Sequence, residues 1–142
     1  MLWEPKGVQI GTAFLACEES GASALHRSAI LGGTARRTGL TRGFTGRLAR
    51  GIHNQLLVEL NLPGVEILPF PLQHYLVRNL SVLAEKATKP ELIPLWAGQS
   101  ANLSTKSNAT ALLQTLVSEV PSILGPAFCR AHKLTDHVGF AE

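Results

Sequence analysis

The chain has 142 residues, of which 45% are apolar and 16% charged, and it carries a net charge of +3. That length allows one domain with a real core, and the composition is globular, which excludes a disordered or low-complexity chain. So mild a charge does not by itself call for nucleic acid or a membrane surface, and no apolar run approaches the length of a membrane span.

Taken in chain order, the segment over 7–15 reads as a strand. It is almost continuously apolar apart from Gln9 and Gly11-Thr12, the pattern of a strand buried on both faces. A helix is expected from Ser23 to Leu31, with Ser20 and Ser23 as candidate N-caps and Gly32-Gly33 as its stop. Thr38 to Phe44 reads as a strand or extended piece. From Leu48 to Leu60 the residues Leu48, Ile52, Leu56 and Leu60 recur every fourth position, which predicts a helix with one apolar face.

The stretch "NLPGVEILPFP" is turn chemistry, and Pro69 and Pro71 forbid helix before them while suiting a helix start after them. A helix is expected from Leu72 to Lys86, presenting Leu72, Leu76, Leu80 and Leu83 as its buried stripe. A single turn is expected near Glu91. Ser107 or Asn108 then caps a last helix, with Leu112, Leu113, Leu116, Val117 and Val120 as its stripe and Pro121 as its end. After Gly125 the patterning is weak. One buried strand needs parallel neighbours, and the chain offers no good candidates for them.

Cys17 and Cys129 lie far apart and make neither a metal spacing nor a disulfide framework, so a reducing cytoplasm is the default. The first residues include Glu4 and Pro5 and lack the apolar core of a secretory signal. The five histidines are scattered, with no H-E-x-x-H or other metal spacing, and Cys17 reads as a small buried apolar residue. Arg36, Arg37, Arg42, Arg47 and Arg50 could bind phosphate or RNA, but a solvated face is the favoured reading, because Phe44 alone provides no aromatic interleaving. A strand ending in Gly11-Thr12 before a turn and helix suits an anion, since glycine lets the backbone approach and the hydroxyl and N–H groups donate. Trp96 and Gln99 suit a pocket rim, one flat apolar face and one amide; a Trp plugging the core under a loop is the equal alternative.

Four blocks carry a resemblance. "GVQIGTAFLACEESGAS", "LTRGFTGRLARGIHNQLLVE", "LPFPLQHYL" and "LWAGQSANL" follow one another across roughly residues 7–118. In that order they resemble the nitronate monooxygenases, also called 2-nitropropane dioxygenases. The resemblance implies an α/β fold, the C-terminal fragment of an FMN-binding TIM barrel that oxidises alkyl nitronates with molecular oxygen. In such barrels a phosphate sits on loops after the last strands. The resemblance therefore implies FMN-phosphate contacts at Gln9, Ile10, Gly11 and Thr12, and a substrate-pocket role for Trp96 and Gln99.

The same resemblance implies a division of the chain: 1–22 as last barrel strand and phosphate-side turn, 23–103 as a smaller, mostly helical lid-like domain, 104–125 as the final outer helix, and 126–142 as a tail. A whole barrel takes about 250 residues. The family's catalytic histidine, in a G-G-H-x-G-like block, has no counterpart here, and "MLWEPK" departs from the family pattern before the strand. The expectation is a C-terminal part that is inactive by itself, has no catalytic residue of its own and no metal, and meets a small nitronate and oxygen but neither nucleic acid nor membrane. The alternative is a non-catalytic helical module that self-associates through its strand, since an unpaired edge invites pairing.

Overall fold

The structure is a computed structural model that describes residues 8–124. The chain starts with irregular backbone and one helical turn, α1 (Thr12–Leu15), then α2 (Ala24–Leu31). A 3₁₀ turn at Thr34–Arg36 leads into an antiparallel hairpin of β1 (Thr38–Thr41) and β2 (Ala49–Ile52). Helices α3 (Gln55–Leu60) and α4 (Leu72–Lys86) follow, then 3₁₀ turns at Pro90–Leu92 and Ala101–Leu103, and finally α5 (Ala109–Leu124).

Segment 95–97 lies along β2 as a third, irregular strand. The Ile52 N–H donates to the Leu95 carbonyl at 2.8 Å, the Ala97 N–H donates to the Arg50 carbonyl at 3.2 Å, and Trp96 bridges Gly51. Gly51 allows this approach: a Cβ there would stand 2.6 Å from Phe44 Cε2 and 2.9 Å from the Leu95 oxygen. One core cluster gathers Ala16, Ile30, Ala35, Ile52, Ala84, Ile93, Leu95, Ala97 and Ala101; a second holds Phe44, Leu56, Leu57 and Val77. Asn54 ties the two sides together. Its side chain caps α3 through the Leu57 N–H at 3.0 Å, and its amide donates to the Pro90 and Ile93 carbonyls at 3.1 and 2.7 Å.

Several expectations hold. Ser23 caps α2 by accepting from the His26 N–H, α4 runs from Leu72 to Lys86, and Asn108 accepts from the Ala111 N–H at the start of α5. Others are corrected. The strand expected over 7–15 is irregular at Val8–Gly11 and helical over Thr12–Leu15. A buried strand needs neighbours to take its ladder bonds. With none among the described residues, the backbone closes on itself, Leu15 N–H to the Gly11 carbonyl at 2.9 Å and Ala16 N–H to the Thr12 carbonyl at 3.1 Å. The route to self-association through a strand edge therefore has no strand at this place.

The helix expected over Leu48–Leu60 is instead strand β2, a turn and the short α3. Gly51 must lie flat against Phe44 and opposite Gly39, and the Asn54 cap restarts the chain as helix only beyond it. On α4 the leucine stripe is turned outward. Leu72, Leu76, Leu80 and Leu83 are all exposed, while Gln73, Val77 and Ala84 are buried. Gln73 sets that rotation: it donates to the Gly43 carbonyl at 2.7 Å and accepts from the Leu68 N–H at 3.1 Å, so its buried amide is satisfied on both sides. On α5 only part of the expected stripe is covered: Leu112 is buried, while Leu113 and Val117 are exposed. The helix also continues through Pro121 to Leu124. A proline this close to the end removes one hydrogen bond of the helix without ending it. The tail reading falls outside the described residues, as does Cys129.

Candidate functional site

The structure joins two of the sequence blocks across 86 positions. The Gly98 N–H donates to Thr12 Oγ1 at 2.9 Å, so the "GVQIGT" segment and the "WAGQ" segment meet. Thr12 uses a lone pair in this bond and keeps its hydroxyl proton to donate elsewhere. Gln9 and Gly11 are exposed; Ile10 and Thr12 are half-buried. A Cβ on Gly11 would meet nothing within 4 Å, so the backbone here is open to an incoming group. The first N–H groups of α1 have no carbonyl in the preceding turn, and Gly11 offers them no side-chain cap.

Beside this segment the chain is braced by Cys17 and Glu19. The Cys17 thiol is buried and donates to the Ala13 carbonyl at 3.3 Å; burial pushes it above its ordinary value, and Glu19 adds to the rise, so it stays a thiol and not a nucleophile. The Glu19 carboxylate accepts from the Asn108 amide at 2.8 Å and from the Ala109 N–H at 3.1 Å, which docks the start of α5. Gly11, Phe14, Cys17, Glu19 and Ala109 line a shallow hollow of about 290 Å³ between these pieces.

Trp96 sits both ways. The residue is 37% exposed, and its ring packs edge-on against buried Phe44, with centroids 5.2 Å apart and planes at 77°. Its carbonyl receives the imidazole of His26 at 2.8 Å. The acceptor is a carbonyl, so His26 Nε2 carries the proton. Gln99 is exposed. A second cleft, also about 290 Å³, opens between α2 and α4, and its walls include Trp96, Phe44, His26, His74, Arg78 and Glu85. Neither Gln99 nor the Gln9–Thr12 stretch is among those walls. The predicted site residues thus fall into two places. Thr12 reaches the loop carrying Gln99, while Trp96 faces a separate cleft.

His26, His74 and Arg78 escaped the sequence reading. A signal was available: His26 and Ile30 are four apart on α2 and share its buried face, and His74, Arg78, Ser81 and Glu85 form one polar stripe on α4. Burial holds His26 below its ordinary 6.5, while the Trp96 carbonyl and the Glu85 charge pull it back up. The arginine cluster disperses. Arg50 donates to Thr38 Oγ1 at 3.1 Å, and Arg47 stacks 4.0 Å over the Phe70 ring. Among the described residues no three metal-ligating side chains come together, and no helix is long and apolar enough to cross a membrane.

Residues 5–119 match the sequence model of the nitronate monooxygenase family. The chain belongs to that family. Among curated proteins, a probable nitronate monooxygenase of Staphylococcus aureus (strain Newman) is 35% identical over 119 residues, covering 84% of this chain and 34% of that protein. Its counterpart in strain JH9 is 34% identical over the same extent. A solved structure of nitroalkane oxidase from Streptomyces ansochromogenes superposes with a TM-score of 0.72 at 39% identity, over 80% of this chain and 32% of the other. The chain therefore spans about a third of the length of the nitronate monooxygenases it matches.

Proposed function

We propose that this chain supplies the C-terminal portion of a flavin-dependent nitronate monooxygenase, an enzyme that oxidises alkyl nitronates with molecular oxygen. The observation that carries this reading is the Thr12–Gly98 hydrogen bond, which brings the two most motif-like blocks together inside a chain that belongs to the family. The division into phosphate-side turn, smaller helical domain, final outer helix and tail belongs to the same proposal.

The residues present suit one side of an FMN site. Gly11 leaves open space for a phosphate to approach the main chain, the uncapped N–H groups after it are donors, and the Thr12 hydroxyl has a proton to give. Gln9 and Ile10 flank this wall. Bound there, FMN would supply the acceptor for the substrate's electrons and pass them to oxygen. This chain's own part is to bind and orient: Gly11 and Thr12 hold the phosphate, and Gln99 points an amide from the loop that Thr12 anchors. Trp96 offers an apolar face. No residue of the chain is proposed to touch the reacting carbon, so turnover belongs to the whole fold.

The test is a chimera in which this chain replaces the matching third of the Staphylococcus aureus relative. Retained flavin absorbance and oxygen uptake with propyl-1-nitronate are expected, and Thr12→Val should loosen the flavin. A chimera that keeps its flavin but leaves nitronate unoxidised overturns the reading of the reaction. Stoichiometric FMN on this chain alone overturns the view that it carries only one wall.

A further inference from the structure

The cleft between α2 and α4 holds groups that the flavin reading leaves unused. His26 is only 7% exposed, and its Nε2–H is committed to the Trp96 carbonyl. Nδ1 has no partner among the described residues. Among those residues no buried side-chain nitrogen or oxygen lacks a partner, so Nδ1 is not sealed from solvent, and His26 is one of the cleft's walls. From α4 the same cleft receives His74, Arg78 and Glu85, and Phe44 and Trp96 supply apolar, flat walls. Of the other charged residues on elements packed against α2, Arg36 and Glu91 are not among the walls, and Arg27 donates to the Ala22 carbonyl.

We infer that this cleft binds a small planar oxyanion of carboxylate shape, held between the Arg78 guanidinium and His26 Nδ1, and that binding takes up one proton at Nδ1. The chemistry follows from the tautomer. With Nε2 protonated and Nδ1 bare, the neutral ring presents a lone pair, which repels an anion; with Nδ1 protonated it becomes a donor, and a charge-assisted one. Arg78 is permanently charged and suits a planar two-oxygen group. Glu85 offsets one positive charge in the cleft, so the arriving anion is matched by the proton gained at His26. A volume of about 290 Å³ suits a molecule of a few heavy atoms, not a nucleotide.

The inference deepens the substrate side of the proposed function and rests on it for one point, that an alkyl nitronate is an oxyanion of this shape. Burial holds the His26 imidazole below its ordinary value, so binding of the anion must draw a proton from solvent onto Nδ1, and affinity must rise as pH falls.

The test titrates the full 142-residue chain with propionate while histidine ring signals are followed by NMR. Saturating propionate is expected to raise the His26 pKa by about one unit, which corresponds to about tenfold tighter binding once the ring is protonated. Arg78→Met, on an exposed position, is expected to weaken binding about tenfold at every pH. His26→Gln keeps an amide donor for the Trp96 carbonyl and is expected to bind propionate weakly, with no pH slope. A His26 pKa unmoved by propionate overturns the inference, as does an affinity indifferent to Arg78→Met. A pH slope that survives in His26→Gln also overturns it. Propionate needs no flavin, so failure here is separate from failure of the FMN reading.

Discussion

Gly51→Ala tests the packing that sets Trp96 in place. The added Cβ would lie 2.6 Å from Phe44 Cε2, 3.0 Å from its Cζ and 2.9 Å from the Leu95 oxygen. The oxygen is backbone and already accepts from Ile52 at 2.8 Å, so it cannot simply swing away. Phe44 is fully buried and cannot retreat into solvent. Either the aromatic pair separates or segment 95–97 lifts off β2. Overpacking of this kind costs about 1–3 kcal/mol, and loss of the edge-on pair adds about 0.5–1.5 kcal/mol. Stiffening of the unfolded chain by alanine returns about 0.4–1 kcal/mol. The net loss is about 2 kcal/mol, which lowers a urea midpoint by about 1 M for an ordinary slope. Far-UV circular dichroism and tryptophan fluorescence would follow the same unfolding. Gly21→Ala is the control, since a Cβ there meets nothing within 4 Å. A Gly51→Ala midpoint that matches the Gly21→Ala midpoint would refute the reasoning about this crossing.

Asn54→Ala removes the α3 cap, takes the amide donor from the Ile93 carbonyl and leaves the Pro90 carbonyl only the Ile93 N–H. A loss of about 2–3 kcal/mol is expected in urea unfolding. Glu19→Ala frees the Ala109 N–H and the Asn108 amide, and hydrogen exchange should speed up in the first turn of α5 while α4 is unchanged. His26 is held below 6.5 when folded and returns to about that value when unfolded, so the unfolded chain takes up the proton first. Stability is therefore full above that value and falls as pH drops from 6.5 through the folded one; unfolding midpoints from pH 8 to 5 should fall further in the wild type than in His26→Gln.

Local signals were legible wherever the chain decides its own conformation. Ser23 and Asn108 cap the helices expected from them, and α4 has the bounds its prolines and periodicity predict. The failures share a different cause. The leucines of α4 form a sound apolar stripe, yet Gln73 rotates them outward, because two buried hydrogen bonds from one amide outweigh a stripe that nothing among the described residues covers. The apolar run over 7–15 carries a strand's composition but finds no ladder partner among the described residues, and from Gly11 on it turns back on itself. The fourfold repeat from Leu48 to Leu60 crosses a glycine that must lie against Phe44, and periodicity does not register such an approach. For the candidate site, the motif blocks pointed to Thr12 and the loop after Trp96, and the fold joins them. His26 stayed hidden because a lone histidine has no spacing to betray it; only its place one turn before Ile30 hinted at burial.

The central claim is that Gln9–Thr12 forms the phosphate wall of a flavin site. Calorimetric titration of the flavin-free chimera with FMN and, separately, with riboflavin tests it directly, because the two differ only in the phosphate. The account predicts that FMN binds and that riboflavin binds at least about tenfold more weakly, a difference of about 1.4 kcal/mol, which Gly11→Asp abolishes. Equal binding of the two flavins, or no binding of FMN, would contradict it.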